Sequence, residues 1–310
     1  MPALNLPRVA ISLGDINGVG IEIALKSHHD ISKVVTPIYC INRPLLEQAA
    51  ARLNITIAPD IILSEVGENI DIEPGVVSEQ SGAFSYDSFS RAIELAKNSN
   101  VDAIVTLPIH KEAWSLAGID YKGHTDMLRD IFNKDAIMML GCSQMYVALF
   151  TEHIPLQAVA SEVTLTRLTN FLEDFHTAIG DHKVAVLGLN PHAGDNGVLG
   201  NEEEIITEAI KTLNEAYDKE IFMGPIVPDV AFTPHFRKQF HYFVAMYHDQ
   251  GLAPLKALYF DESVNISLNL PIVRTSVDHG TAFDIAYKNR AKTLSYLNAI
   301  KAACSLIEKI

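Results

Sequence analysis

The residues of this 310-residue chain best suited to chemistry crowd into one stretch, 247–284. It opens Tyr247-His248-Asp249-Gln250-Gly251 and passes through Lys256 and Asn265. It then runs into Arg274-Thr275-Ser276-Val277-Asp278-His279-Gly280-Thr281-Ala282-Phe283-Asp284. Imidazoles, carboxylates, an ammonium and a guanidinium in one short span suit metal ligation, proton transfer and the binding of a phosphate or carboxylate. The apolar run 242–246 ahead of it is long enough for one buried strand. His248 and Asp249 then stand at a strand's carboxyl end, where open α/β sheets bind ligands, and Gly251 lets the chain turn away. A second apolar segment, 265–270, ends at Pro271. Gly280 and Thr281 read as the entry to a short helix, 282–288, whose free amides would seat a phosphate or another anion. Taken singly, Asp278 and Thr281 would serve equally well as caps and Lys256 as a solvated ammonium. The set as a whole reads as a site.

Three histidines elsewhere share one setting. His153, His192 and His248 each follow an apolar segment and precede a turn marked by proline or glycine. A parallel sheet lines up the carboxyl ends of its strands, so the three imidazoles are candidates to converge. Three neutral imidazoles with an open fourth position make a catalytic divalent-metal site, best suited to zinc and tolerant of cobalt or manganese. The competing reading has each histidine hydrogen-bonded separately in its own loop. His124-Thr125 stands just before a predicted helix, 126–132; Thr125 is its cap, or the pair grips a substrate carboxylate or hydroxyl.

The elements that must position these residues alternate. Strands are predicted at 9–13, 35–41, 101–107, 145–150, 184–189 and 229–232. Helices are predicted from residue 21 and at 44–53, 81–97, 165–179, 202–217 and 291–309. In 81–97, Tyr86, Phe89, Ala92, Ile93 and Ala96 fall on one helical face. Such alternation implies an α/β fold with a parallel sheet covered by helices on both faces. The turn Gly14-Asp15-Ile16-Asn17-Gly18-Val19-Gly20 has the wrong glycine spacing for a dinucleotide fingerprint and lacks the lysine of a phosphate-binding P-loop. It is a tight strand-to-helix turn, with amides that are candidates to hold an anion. No internal repeat or low-complexity linker is present.

Composition narrows the function. The formal net charge is −14 without a Lys/Arg cluster, which excludes a nucleic-acid backbone as partner. No apolar run approaches the ~20 residues of a membrane span. Residues 1–8 have neither the basic nor the apolar region of a secretory signal. Three isolated cysteines, Cys40, Cys142 and Cys304, read as buried thiols of a reducing compartment, the cytoplasm.

With these segments assembled, the chain resembles the 4-hydroxythreonine-4-phosphate dehydrogenase family of pyridoxal phosphate (vitamin B6) biosynthesis. The matching stretches are Thr106-Leu107-Pro108-Ile109-His110-Lys111, Gly123-His124-Thr125-Asp126 and Asn190-Pro191-His192-Ala193-Gly194-Asp195. Further matches are Gly224-Pro225 with Asp229, Tyr247-His248-Asp249-Gln250-Gly251, and Leu270-Pro271 through Arg274-Thr275-Ser276-Val277-Asp278-His279-Gly280-Thr281-Ala282. They keep the family's order over nearly the whole chain. Two segments depart from the pattern. The first turn has Asp-Ile-Asn where the family commonly has Glu-Pro-Ala, and after Asp284 the chain reads Ile285-Ala286-Tyr287-Lys288-Asn289 where Gly-Lys-Gly is usual.

The resemblance implies the isocitrate/isopropylmalate dehydrogenase-like fold, two α/β domains with the active-site cleft between them. Residues 1–120 with 273–310 would form the cofactor-side domain, and 121–272 the metal, substrate and dimerisation domain. It implies a divalent metal (zinc, with cobalt, magnesium or manganese as alternatives) on His153, His192 and His248, with His248 reaching in from the partner of a homodimer. It assigns a small phosphorylated substrate to His124, Thr125, Lys256, Asn265 and Arg274, and NAD or NADP to Asp278, His279, Gly280, Thr281 and Asp284. The implied reaction is oxidation and decarboxylation of 4-phosphooxy-L-threonine to 3-amino-2-oxopropyl phosphate. Lys256 and Arg274 would supply positive charge. Asp249 is either the base that takes the hydroxyl proton or the group that orients His248. The alternatives are a relative acting on another phosphorylated hydroxy acid, a metal-free phosphate acyltransferase of the same fold, and a catalytically silent binder of phosphorylated metabolites.

Overall fold

Contacts gather the chain of this computed structural model, which describes residues 6–308, into two units. The first takes the chain through residue 134 together with 264–266 and 270–310; the second comprises 135–263 and 267–269. The ends of the chain, residues 1–5 in the expected leaderless N-terminus and residue 309 of the predicted last helix, lie outside the described residues.

In the first unit the strands are β1 (Arg8–Ser12), β2 (Thr36–Cys40), β3 (Ile62–Leu63), β4 (Ala103–Thr106), the start of β10 (Val264–Leu268) and β11 (Val273–Val277). They are ordered β3-β2-β1-β4-β11-β10. The β2–β3, β1–β2, β1–β4 and β4–β11 pairs are parallel. Such strands are covered on both faces and so read as unbroken apolar runs; every residue of β4 is buried. The helices are α1 (Gly20–Ile31), α2 (Arg43–Leu53), α3 (Glu79–Lys97), α4 (Lys111–Leu116), α5 (His124–Phe132) and α12 (Leu294–Ile307). The start of α2 is fixed by Asn42, whose side-chain oxygen accepts from the Leu45 N–H at 2.9 Å, with Pro44 in the first turn. The apolar face expected of α3 buries Phe89, Ala92 and Ile93 in a core with Ile104, Trp114, Met127 and Leu128. Met127 and Leu128 draw α5 into this first unit, and His124 and Thr125 with it.

β11 did not stand out in the sequence, because Arg274, Thr275 and Ser276 look like loop residues. All five of its residues are nevertheless buried.

The second unit has β5 (Ile137–Cys142), β6 (Met145–Leu149), β7 (Val184–Leu187), β8 (Phe222–Ile226) and β9 (Tyr242–Ala245), ordered β5-β6-β9-β7-β8. Its helices are α6 (Leu156–Glu162), α7 (Leu165–Ile179), α8 (Glu202–Tyr217), α9 (Pro228–Ala231), α10 (Pro234–Arg237) and α11 (His248–Tyr259). Two expectations are corrected. β5 and β6 pair antiparallel, because two residues, Ser143 and Gln144, suffice for a hairpin and not for a crossover. The strand predicted at 229–232 is the short helix α9, begun by Pro228; the true strand, β8, was hidden by its Gly224-Pro225, which looks like a turn. No helix among the described residues is long and apolar enough to cross a membrane.

Candidate functional site

In the second unit β6, β9 and β7 are neighbours, all parallel, with Leu149 beside Ala245 and Val186 beside Val244. Their carboxyl ends therefore lie in a row. His153 follows β6, His248 opens α11 directly after β9, and His192 follows β7 in a distorted 3-10 segment (Pro191–Asp195) at φ 53°. The rings of His153 and His248 stand 5.5 Å apart. Within one chain, no group of three His, Cys, Asp or Glu among the described residues is placed to hold a metal. The chain thus brings two of the three imidazoles together and places His192 in the segment that follows the adjoining strand.

Asp249 accepts a hydrogen bond from His248 Nδ1 at 2.8 Å. A carboxylate cannot donate, so the proton sits on Nδ1 and Nε2 is the nitrogen left to ligate. Gly251 does not turn the chain away. It lies inside α11, where an added Cβ would come within 2.5 Å of Val147 Cγ1 and 2.9 Å of Ala245 Cβ, so the missing side chain is what seats the helix on the sheet. Lys256 lies further along α11, its ammonium 5.8 Å from the Phe260 ring centre.

Two residues without an assigned role hold these loops. Gln250 accepts from the Met246 N–H at 2.7 Å and donates to the Gly188 carbonyl at 2.7 Å, tying the end of β9 to the end of β7. Glu203, buried in the first turn of α8, accepts from the N–H groups of Leu189 (2.9 Å) and Asn190 (2.7 Å) and from the Asn190 amide (2.9 Å). The sequence signal for Glu203 was only an acidic first turn, which the macrodipole explains without it.

In the first unit Arg274 lies on β11, only 2% exposed, and donates from Nη2 to Thr106 Oγ1 at 2.6 Å. Burial draws its guanidinium down to about 9, so it is still charged at neutral pH. His124 is enclosed edge-on by Phe89 and Trp114 at ring distances of 4.6 and 5.9 Å. Burial first, and then the Arg274 charge, hold it far below the usual imidazole range, so it is neutral. Its Nε2 is buried without a hydrogen bond, as is Asn265 Oδ1 on β10, the strand beside β11. Buried polar atoms left so cost free energy that a polar ligand would recover. Thr125 is inside the first turn of α5 rather than its cap, which is Gly123.

The 278–289 loop departs from expectation. Instead of a helix over 282–288 there is one 3-10 turn, Phe283–Ile285, which offers no α-helical N-terminus to an anion. The Asp278 N–H donates to Ser295 Oγ at 3.2 Å, and His279 Nδ1 donates to the Gly280 carbonyl at 3.0 Å, leaving its buried Nε2 without a hydrogen bond. Gly280 has open space around it, and Asp284 is exposed. Phe283 stacks on His110 at 5.0 Å and 13°.

In the 14–20 turn four amides are already engaged: Asp15 to the Pro108 carbonyl, Asn17 to the Asp15 carboxylate, Gly18 to the Asp15 carbonyl and Val19 to the Thr281 carbonyl. Those four amides hold the turn together rather than offering themselves to an anion. Burial raises Asp15 to about 6, against hydrogen bonds from the Asn17 N–H and Ser81 Oγ.

Mainly parallel α/β units, candidate ligands at strand ends and no dinucleotide-binding glycines define the class, the isocitrate/isopropylmalate dehydrogenase-like fold. Within it, residues 33–303 match the family described as pyridoxal phosphate biosynthetic protein PdxA, and the chain belongs to that family. It is 62% identical to the 4-hydroxythreonine-4-phosphate dehydrogenase of Sulfurimonas denitrificans, over 98% of this chain and 99% of the relative. With the enzyme of that name from Campylobacter fetus subsp. fetus it shares 54% identity over 98% of this chain and 100% of the relative. The crystal structure of 4-hydroxythreonine-4-phosphate dehydrogenase from Klebsiella pneumoniae superposes with a TM-score of 0.83 at 32% identity, covering 97% of this chain and 99% of that one.

Proposed function

We propose that the chain is an oxidoreductase that oxidises the C3 alcohol of 4-phosphooxy-L-threonine with NAD and releases CO2, leaving 3-amino-2-oxopropyl phosphate, as a homodimer with the active site at the subunit interface. The observation that carries the reading is the neighbouring His153–His248 pair, with His248 turned by Asp249 so that its Nε2 is the nitrogen left to ligate, in a chain whose relatives bear that enzyme's name. The donor set fits a borderline-soft divalent ion such as zinc. His153, His192 and His248 would hold it together across the interface of the homodimer, His248 being the ligand expected from the partner. Bound there, it would supply Lewis-acid stabilisation of negative charge on the substrate oxygen during oxidation and decarboxylation. NAD, seated by residues 278–284, would accept the hydride.

The chain's own groups do the rest. Asp249 holds His248 in the Nδ1–H tautomer and would be the base that takes the hydroxyl proton. Arg274 offers its buried guanidinium to the substrate phosphate or carboxylate, and neutral His124 and Asn265 offer buried polar atoms to it. Lys256 contributes a further cation from α11.

The test follows NADH absorbance with 4-phosphooxy-L-threonine and NAD, before and after chelation with zinc add-back, alongside His192→Ala. Metal-dependent NADH formation lost in the variant is expected. Activity indifferent to chelator and to His192→Ala would refute the ligand set, and no NADH from metal-loaded protein would refute the substrate.

A further inference from the structure

We infer that Tyr287 is a positioning residue that fastens the 278–289 loop to the 14–20 turn and thereby sets the affinity for the nicotinamide cofactor. The inference rests on the proposed reading of that loop as the cofactor seat.

The loop crosses the turn and is attached along its length. At its start the Val19 N–H donates to the Thr281 carbonyl at 3.0 Å, and an added Cβ on Gly18 would lie 2.9 Å from that same carbonyl oxygen. At its end Asn289 Nδ2 donates to the Leu53 carbonyl at 3.2 Å, and just beyond it the Ala291 N–H donates to Glu22 Oε1 at 2.9 Å. Between these attachments the Tyr287 hydroxyl donates to the carbonyl of Ile16, in the middle of the turn, at 2.8 Å.

Tyr287 makes this bond from φ 58°, a left-handed backbone that favours glycine and that a bulky side chain adopts only against strain. Burial, its largest influence, raises the phenol well above its usual range, so the hydroxyl remains a donor at every working pH. A strained backbone persists where surrounding contacts over-determine it, and here the hydroxyl bond is such a contact. The segment it holds carries Asp284 and the Phe283 ring stacked on His110, and begins at the buried His279 Nε2 that lacks a hydrogen bond. A loop held in this shape before cofactor arrives spares the ordering cost at binding.

The test uses the full-length protein, with Tyr287→Phe removing only the hydroxyl and Tyr287→Gly removing the side chain and relieving the backbone. Hydrogen exchange of amides 279–288 is read in the free protein, NAD binding by calorimetry, and KM for NAD against kcat in the assay. Both variants should exchange about 5- to 10-fold faster in that segment and bind NAD about 5- to 10-fold more weakly, the loss of one hydrogen bond. KM should rise with kcat held within about twofold, because uniform binding is lost and transition-state contacts are not.

Wild-type exchange and affinity in Tyr287→Phe would overturn the inference. So would faster exchange with unchanged affinity, or a Tyr287→Gly as tight as wild type. Wild-type protein that binds no NAD would overturn the cofactor reading itself, and this inference with it.

Discussion

Glu203 is the residue whose replacement most directly tests how the His192 loop is held. Its Oε1 accepts two loop N–H groups, from Leu189 at 2.9 Å and Asn190 at 2.7 Å, and its Oε2 accepts the Asn190 amide at 2.9 Å. In Glu203→Gln the amide oxygen still accepts both N–H groups, but its NH2 then faces the Asn190 NH2, which also donates to Glu202 at 2.7 Å. One charge-assisted bond is lost, about 1.5 kcal/mol, and two become neutral, about 0.5 kcal/mol each, for a total of about 2.5 kcal/mol. Glu203→Ala strips the acceptor from all three donors and leaves a void, which costs about 3–5 kcal/mol. The assay is urea unfolding by circular dichroism. The midpoint should fall in the order wild type, Gln, Ala at an unchanged slope, and affinity for the proposed zinc should fall about tenfold or more as the loop loosens. A glutamine variant with the wild-type midpoint, or an alanine variant no worse than the glutamine one, would refute the carboxylate's role.

Two further predictions concern the helix that carries His248 and the turn that carries Asp15. Gly251→Ala places a methyl 2.5 Å from Val147 Cγ1; the overpacking should cost about 1–3 kcal/mol and lower both the melting temperature and the affinity for the proposed zinc, and an unchanged melting temperature would contradict the close helix–sheet approach. For Asp15 the folded pKa, about 6, lies above the ordinary carboxylate value of 3.8, because burial disfavours the charged form. Its contribution is therefore most favourable below about 4 and is lost as pH rises through 6, a change of about 3 kcal/mol. Asp15→Asn should remove this fall, gaining on wild type between pH 4 and 7 in a series of urea midpoints; parallel pH profiles would refute it.

What the sequence disclosed, and what it hid, divides by the range of the signal. Periodicity placed helices Leu165–Ile179 and Glu202–Tyr217 at their observed bounds, because a long amphipathic pattern is self-contained. It missed β11, whose Arg274, Thr275 and Ser276 are polar residues made tolerable in a buried strand by partners far along the chain, among them Thr106 and the Ala299 carbonyl. The strand setting of the three histidines was legible because each follows its own strand, and β6, β9 and β7 do lie side by side, though only His153 and His248 stand together within the chain. Gln250 and Glu203, which hold those strand ends in place, carry no signal beyond helix chemistry.

The loop at 278–289 shows the same limit most sharply. Its departure from the family pattern at Tyr287 and the departure at Ile16 look like two unrelated changes 271 positions apart. In the fold the hydroxyl of one meets the carbonyl of the other. A glycine in that left-handed position would be free of strain but would carry no hydroxyl. Tyrosine gives up the conformational ease and gains a fixed point on the turn. Reading the two changes as one contact turns them from irregularities at the proposed cofactor seat into a reason for its shape.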